Sequence, residues 1–235
     1  MGISTKQYNK MEKSTLLQSS FFMDYEHTSI QAFILANSTP HISKEEKAIE
    51  LYYAVRDKIR YDPYTYSFDK STFKASYVIQ AGRAWCVPKS ILYTACLRAI
   101  GVPALLGFAD VRNHLSTERM RKTMKTDIFI WHGYTSLFLH GKWVKATPAF
   151  NIELCEKFQL KPLEFDGKED SIYHPFDLSG NKHMEYLEDH GTFDTFPFET
   201  MVTECKRFYG DSNEATATAN FEEDVEKEVK LITKS

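Results

Sequence analysis

Nowhere does the sequence carry an apolar run approaching the ~20 residues that a membrane-spanning helix needs. Its start, MGISTKQYNKMEKST, is polar and leads into no signal-peptide core. Gly2 is a faint match to a myristoylation start, but Lys6 stands where that pattern expects Ser or Thr. There is no basic excess either: the formal net charge is -3, so neither nucleic acid nor an anionic membrane is invited as a partner. Cysteine is scarce. The four residues Cys86, Cys96, Cys155 and Cys205 form no CxxC pair or other tight metal pattern, and without a secretion signal they read as reduced thiols. These absences lead us to expect a cytoplasmic protein that needs no cofactor or metal. His174, Asp177 and His183 could suggest a metal, but their spacing fits no compact metal motif.

What is present suits a single globular domain: 235 residues, 43% hydrophobic and 14% aromatic. Residues 1–18 read as a mobile lead-in, 19–210 as one domain with its core over about 44–151, and 211–235 as a charged tail or surface helix. Thr39 or Ser43 could cap a helix over 44–60, Ser43 with Glu46 as a capping box, and the spacing of Ala48, Leu51, Tyr52, Val55 and Ile59 predicts that helix, ended by Asp62-Pro63. A second helix is predicted from Trp85 or Cys86 to about Ile100, stopped by Gly101. Ala104–Val111 reads as a strand, and Asp127–Leu139 with Lys142–Phe150 as a hairpin turning at His140-Gly141. Beyond Asn151 the composition suggests ordered loops with little regular structure. The aromatic residues Phe193, Phe196 and Phe198 read there as loop packing or as the lining of a substrate groove.

One cysteine stands apart. A thiol is a good nucleophile as a thiolate, which a helix N-terminus and a nearby imidazolium stabilise. Cys86 is placed at a predicted helix start, where its own N–H could serve an oxyanion. Cys96 lies mid-helix, and Cys155 and Cys205 have no evident partner. His132 sits in the β-like run IFIWHGYTSLF, where strict alternation would place Ile130, His132 and Tyr134 on one side. If the hairpin turns at His140-Gly141, paired residue numbers sum to 281; His132 then faces Ala149, with Thr147 diagonal to it. A third member that orients the imidazole belongs there.

These residues carry a resemblance. Tyr53–Asn151 resembles the transglutaminase-like superfamily: Cys86 at a helix start, LRAIGVPA at Leu97–Ala104, His132 in a strand, then WVKATP at Trp143–Pro148. The resemblance implies an α+β, papain-like core with the cysteine helix packed on an antiparallel sheet. It also implies Cys86 as nucleophile and His132 as base. The family usually has Asp before that proline, and here it is Thr147, whose hydroxyl can accept a hydrogen bond but brings no charge. Asn151 is a rival orienter, as in papain-like proteases, and Asp177 a third. Trp85 and Trp131 could wall the cleft or simply pack the core. Gln80 is a candidate oxyanion donor and His114 a candidate second imidazole.

The expected chemistry is cysteine-dependent acyl transfer, foremost hydrolysis of an amide in a peptide, protein or small molecule. Transfer to an amine, transfer from a thioester carrier, and a degenerate binding domain are the alternatives. Fold analogy alone does not choose among them.

Overall fold

The computed structural model describes residues 14–113, 117–172, 178, 180, 184–210 and 219–232. His114, His174, Asp177 and His183 lie outside the described residues.

In chain order the helices and strands begin with α1 (Thr28–Asn37), α2 (Lys44–Lys58), β1 (Arg60–Tyr61), α3 (Ala75–Ala81), β2 (Arg83–Ala84), α4 (Cys86–Ala99) and β3 (Ala104–Asn113). Then follow α5 (Glu118–Met124), β4 (Ile128–Leu139), β5 (Lys142–Ala146), α6 (Ile152–Lys157), β6 (Met184–Phe193), α7 (Phe198–Tyr209) and α8 (Phe221–Ile232). Four strands form one antiparallel sheet in the order β5-β4-β3-β6. The short β1 and β2 pair parallel in a separate two-stranded sheet.

Local chemistry fixes the main boundaries. The Ser43–Glu46 capping box forms in both directions and starts α2. Gly101, at φ 76°, ends α4, and the Val102 N–H reaches back to the Leu97 carbonyl. His140 (φ 49°) and Gly141 (φ 84°) are both left-handed, the requirement of a two-residue type I′ turn. The hairpin register follows: Thr135 pairs with Ala146 and Leu137 with Val144, each pair summing to 281.

The cysteine helix is not amphipathic, as a surface helix would be. Every residue from Cys86 to Arg98 is buried, because the sheet covers one side of α4 and α2 and α3 cover others. Thr135 on β4 donates to the Ser90 carbonyl of α4 at 3.2 Å. Arg98, at the other end, donates to carbonyls of Gln18, Ala104 and Asp194, tying three segments together.

Two expectations are corrected. Between residues 152 and 210 the chain forms a fourth sheet strand and two helices, α6 and α7; β6 escapes a period-two reading because Leu187 and His190 are extra residues against β3. The segment 14–18 is docked, with Leu16 fully buried against Leu105 and Trp143. The final helix α8 rests on Phe221 and Val225, and its Asp224 accepts from Tyr64 and Arg119.

One buried cation went unnoticed in the sequence. Lys89, fully buried one turn into α4, donates to the carbonyls of Arg56 (2.9 Å) and Ile59 at the C-terminal end of α2. Burial pulls its amine down to about 7. The unfolded lysine, near ~10.4, binds a proton across the window that the folded one does not, so this term makes stability rise as pH climbs from about 7 toward ~10.4. Lys89→Met would leave both carbonyls bare and lower the unfolding free energy by about 2 kcal/mol. Urea titrations should show that loss together with a flattened pH slope; an unchanged midpoint would refute the role.

Candidate active site

Cys86 is the first residue of α4, and the capping residue Trp85 supplies no side-chain bond to the helix end. The backbone N–H groups of Gly133, Val87 and Cys86 surround the thiol and favour its anion. Gly133 permits this approach: a Cβ there would lie 3.0 Å from the Val87 Cα, so any larger residue would press the helix start away from β4.

His132, just before that glycine, opens onto the same cleft as Cys86. The cleft holds about 880 Å³ of empty space, its mouth included. Tyr61, Tyr66, Trp85, Phe129, Phe150 and Tyr209 form much of its wall, and no charged side chain is among the described residues that line it. Behind the imidazole a smaller cavity of about 200 Å³ is lined by His132, Thr147 and Ala149. Here the backbone departs from the expected hairpin. β5 stops at Ala146, and the Thr147 N–H turns to the Ser171 carbonyl at 2.8 Å, so the His132–Ala149 pairing does not form. His132 Nε2 and Thr147 Oγ1 are both buried with no hydrogen-bond partner among the described residues.

Burial decides the resting charge state. It pushes the Cys86 thiol up to about 12, against the pull of the three amides, and draws His132 down to about 4. Burial among the described residues thus favours a thiol and a neutral imidazole at neutral pH. Thr147 brings no charge behind the imidazole that would favour a thiolate–imidazolium pair.

The other candidates sort by position. Trp85 walls the cleft, packed edge-on against Tyr66 at 5.0 Å. Trp131 does not line it. Its ring stacks on His190 (centroids 4.7 Å, 6°) and its Nε1 donates to Glu204 at 2.7 Å. Asn151 accepts from the Tyr61 N–H at 3.0 Å and donates to Glu153 at 2.7 Å, so both ends of its amide are engaged away from the imidazole. Gln80 is exposed on α3 and lines neither cavity. Phe196 and Phe198 pack with Phe22 and Phe73, and Phe193 with Phe108 and Trp131; they are core. Among the described residues no group of three or more His, Cys, Asp or Glu is placed to hold a metal ion, and no helix is long and apolar enough to cross a membrane.

Residues 31–148, half of the chain, match the pattern that defines the transglutaminase-like superfamily. The chain belongs to that superfamily. Among solved structures, a candidate cysteine protease from Cytophaga hutchinsonii is similar over 80% of this chain and 59% of its own, with 13% identity and a TM-score of 0.43. This chain thus spans about three fifths of that protein, and so distant a likeness carries no argument about the reaction. No curated protein gives a significant match. Membership in the transglutaminase-like superfamily accounts for the α+β architecture, in which the cysteine helix lies against an antiparallel sheet.

Sequence reasoning missed Asp110, His190 and Glu204, the residues around Trp131. A lone Asp in the apolar strand LLGFADV was the available signal: a carboxylate inside a sheet needs a partner.

Proposed function

We propose that the chain is a cysteine-dependent acyl-transfer enzyme that cleaves amides or esters of uncharged, apolar acyl groups. The observation that carries this reading is that Cys86, at a helix start, and His132 open onto one cleft. The neutral imidazole takes the thiol proton as Sγ attacks the carbonyl, and the backbone amides at the helix start favour the negative charge that develops. The C–N bond then breaks, the amine leaves with the proton held by His132, and an acyl-enzyme remains. Water attacks it and gives a proton to His132, the C–S bond breaks, and the leaving sulfur of Cys86 takes that proton back from the imidazole. The described aromatic and aliphatic lining favours an apolar acyl group, since a charge moved into it would lose hydration without a partner.

Incubation with p-nitrophenyl 3-phenylpropanoate, followed by intact-mass spectrometry and nitrophenolate release, tests this. The expected result is an acyl adduct on Cys86 followed by turnover, with the succinate half-ester at least about tenfold slower. No adduct, or an equal rate in Cys86→Ala, would sink the reading. Thr147, standing where the family usually has Asp, favours a second reading: a degenerate domain that binds apolar ligands in the same cleft without turning them over. Binding without adduct formation would select it.

A further inference from the structure

We infer that Asp110 and His190 are positioning residues for His132: they clamp the β-bulge that turns its imidazole into the cleft. The inference rests on the Cys86–His132 reading and concerns how that pair is held.

Between the pairs Ala109–His132 and Val111–Phe129, the single residue Asp110 of β3 faces two residues of β4, Ile130 and Trp131. The extra residue changes the phase of the strand. Strict alternation would put Phe129 and His132 on opposite sides; the bulge carries them to the same side, and both line the cleft with Val111. The bulge is not free of cost, because Trp131 sits at φ 59°, a left-handed conformation that a bulky side chain avoids. Something must hold it there.

Asp110 does so from the central strand. Its Oδ1 accepts the Trp131 backbone N–H at 3.0 Å and the His190 Nε2–H at 2.6 Å. His190 is itself the extra residue of the facing strand, between the pairs Phe108–Gly191 and Ala109–Asp189. One carboxylate thus joins the bulges of both neighbouring strands, and the two bulge side chains, Trp131 and His190, stack on each other. Glu204 of α7 fixes the far edge of the indole. From the same helix, the Tyr209 hydroxyl accepts the Ile130 N–H at 2.6 Å and donates to the Ile128 carbonyl at 3.2 Å. The residue after this clamp is His132. Among the described residues the imidazole has no hydrogen-bond partner on Nε2 to orient it, so its direction depends on the backbone that carries it.

The test uses the full chain with Asp110→Ala, Asp110→Asn and His190→Phe, reading kcat and KM on the apolar ester and the ring resonances of His132 and Trp131 by NMR. Asp110→Ala should lower kcat about 10- to 100-fold with KM within about twofold, since a displacement of order 1 Å suffices for such losses. His132 ring resonances should move with it. Asp110→Asn keeps an acceptor oxygen and should stay within about threefold of the native kcat. His190→Phe keeps the stack but not the hydrogen bond, and should lose kcat in the same sense; it carries the test if Asp110→Ala does not fold. Native kcat and unmoved His132 resonances in both Asp110→Ala and His190→Phe would overturn the inference, as would equal losses in Asp110→Asn and Asp110→Ala. If the native chain shows no Cys86-dependent turnover, the acyl-transfer reading fails by itself. The His132 resonances then decide the clamp: displaced in Asp110→Ala, it stands; unmoved, it falls.

Discussion

His132→Ala should slow acylation of Cys86 about 10³-fold between about pH 5 and 8, within the range that general-base catalysis supplies. The reason is the resting charge state. With the thiol pushed up to about 12, almost no thiolate exists at neutral pH, and attack depends on removing the proton as the bond forms. The imidazole does this in its neutral form, and burial draws His132 down to about 4. The base is therefore available at every pH above about 4 and is lost as pH falls through that value. The kcat/KM profile of the native chain, which reports groups of the free enzyme, should show its acid limb near pH 4 and stay level through neutrality. In His132→Ala the limb should vanish and the rate should climb with pH as thiolate forms. An acid limb near the ordinary histidine value of ~6.5 would mean a solvated imidazole and contradict the buried geometry. The same argument makes Cys86 slow toward iodoacetamide at pH 7, slower than a free cysteine with its pKa of ~8.5.

The sequence was informative wherever a short-range rule was sufficient. A capping box starts α2, a glycine in the left-handed region ends α4, and the left-handed pair His140-Gly141 sets the β4–β5 register. Placing Cys86 at a helix start needed only the turn before it and the glycine after. The misses have a common cause in long-range pairing. Trp131 looks like an ordinary strand residue, and its bulge exists because Asp110 and His190, 21 and 59 residues away in sequence, converge on it. β6 could not be read because its bulges break alternation, and its partner β3 precedes it by some seventy residues. Alternation also missed Phe129, which shares a side with His132 once the bulge is counted. The charge state of the pair was illegible for another reason: motif spacing says which groups meet, while burial, set by the whole fold, says whether they ionise.

Thr147→Asp should raise the rate of Cys86 alkylation at pH 7 by about 10²-fold, because a carboxylate beside an imidazole raises its pKa by ~1–3 units. Threonine and imidazole share the small cavity behind the site, each with a buried polar atom that lacks a hydrogen-bond partner among the described residues. A carboxylate at 147 could accept the Nε2–H of His132 and stabilise the imidazolium, which in turn stabilises the thiolate and lowers the Cys86 pKa. The sign is fixed: the histidine rises from about 4 and the thiol falls from about 12, so the fraction in the ion-pair form at pH 7 can only grow. Thr147→Asn supplies an acceptor without charge and should gain less than about threefold, which separates electrostatics from orientation. The double variant Thr147→Asp, His132→Ala should lose the gain, since the carboxylate acts on the thiol through the imidazole. Iodoacetamide kinetics on the four proteins measure all of this. A gain that survives without His132 would mean that the new carboxylate has rearranged the helix start; no gain at all would mean that it is protonated or directed elsewhere. Either result would break the link drawn here between Thr147 and the neutral resting pair. The expected result would place the departure from the family's usual Asp as the cause of that neutrality, and make the native chain an enzyme that forms its charges during the attack rather than before it.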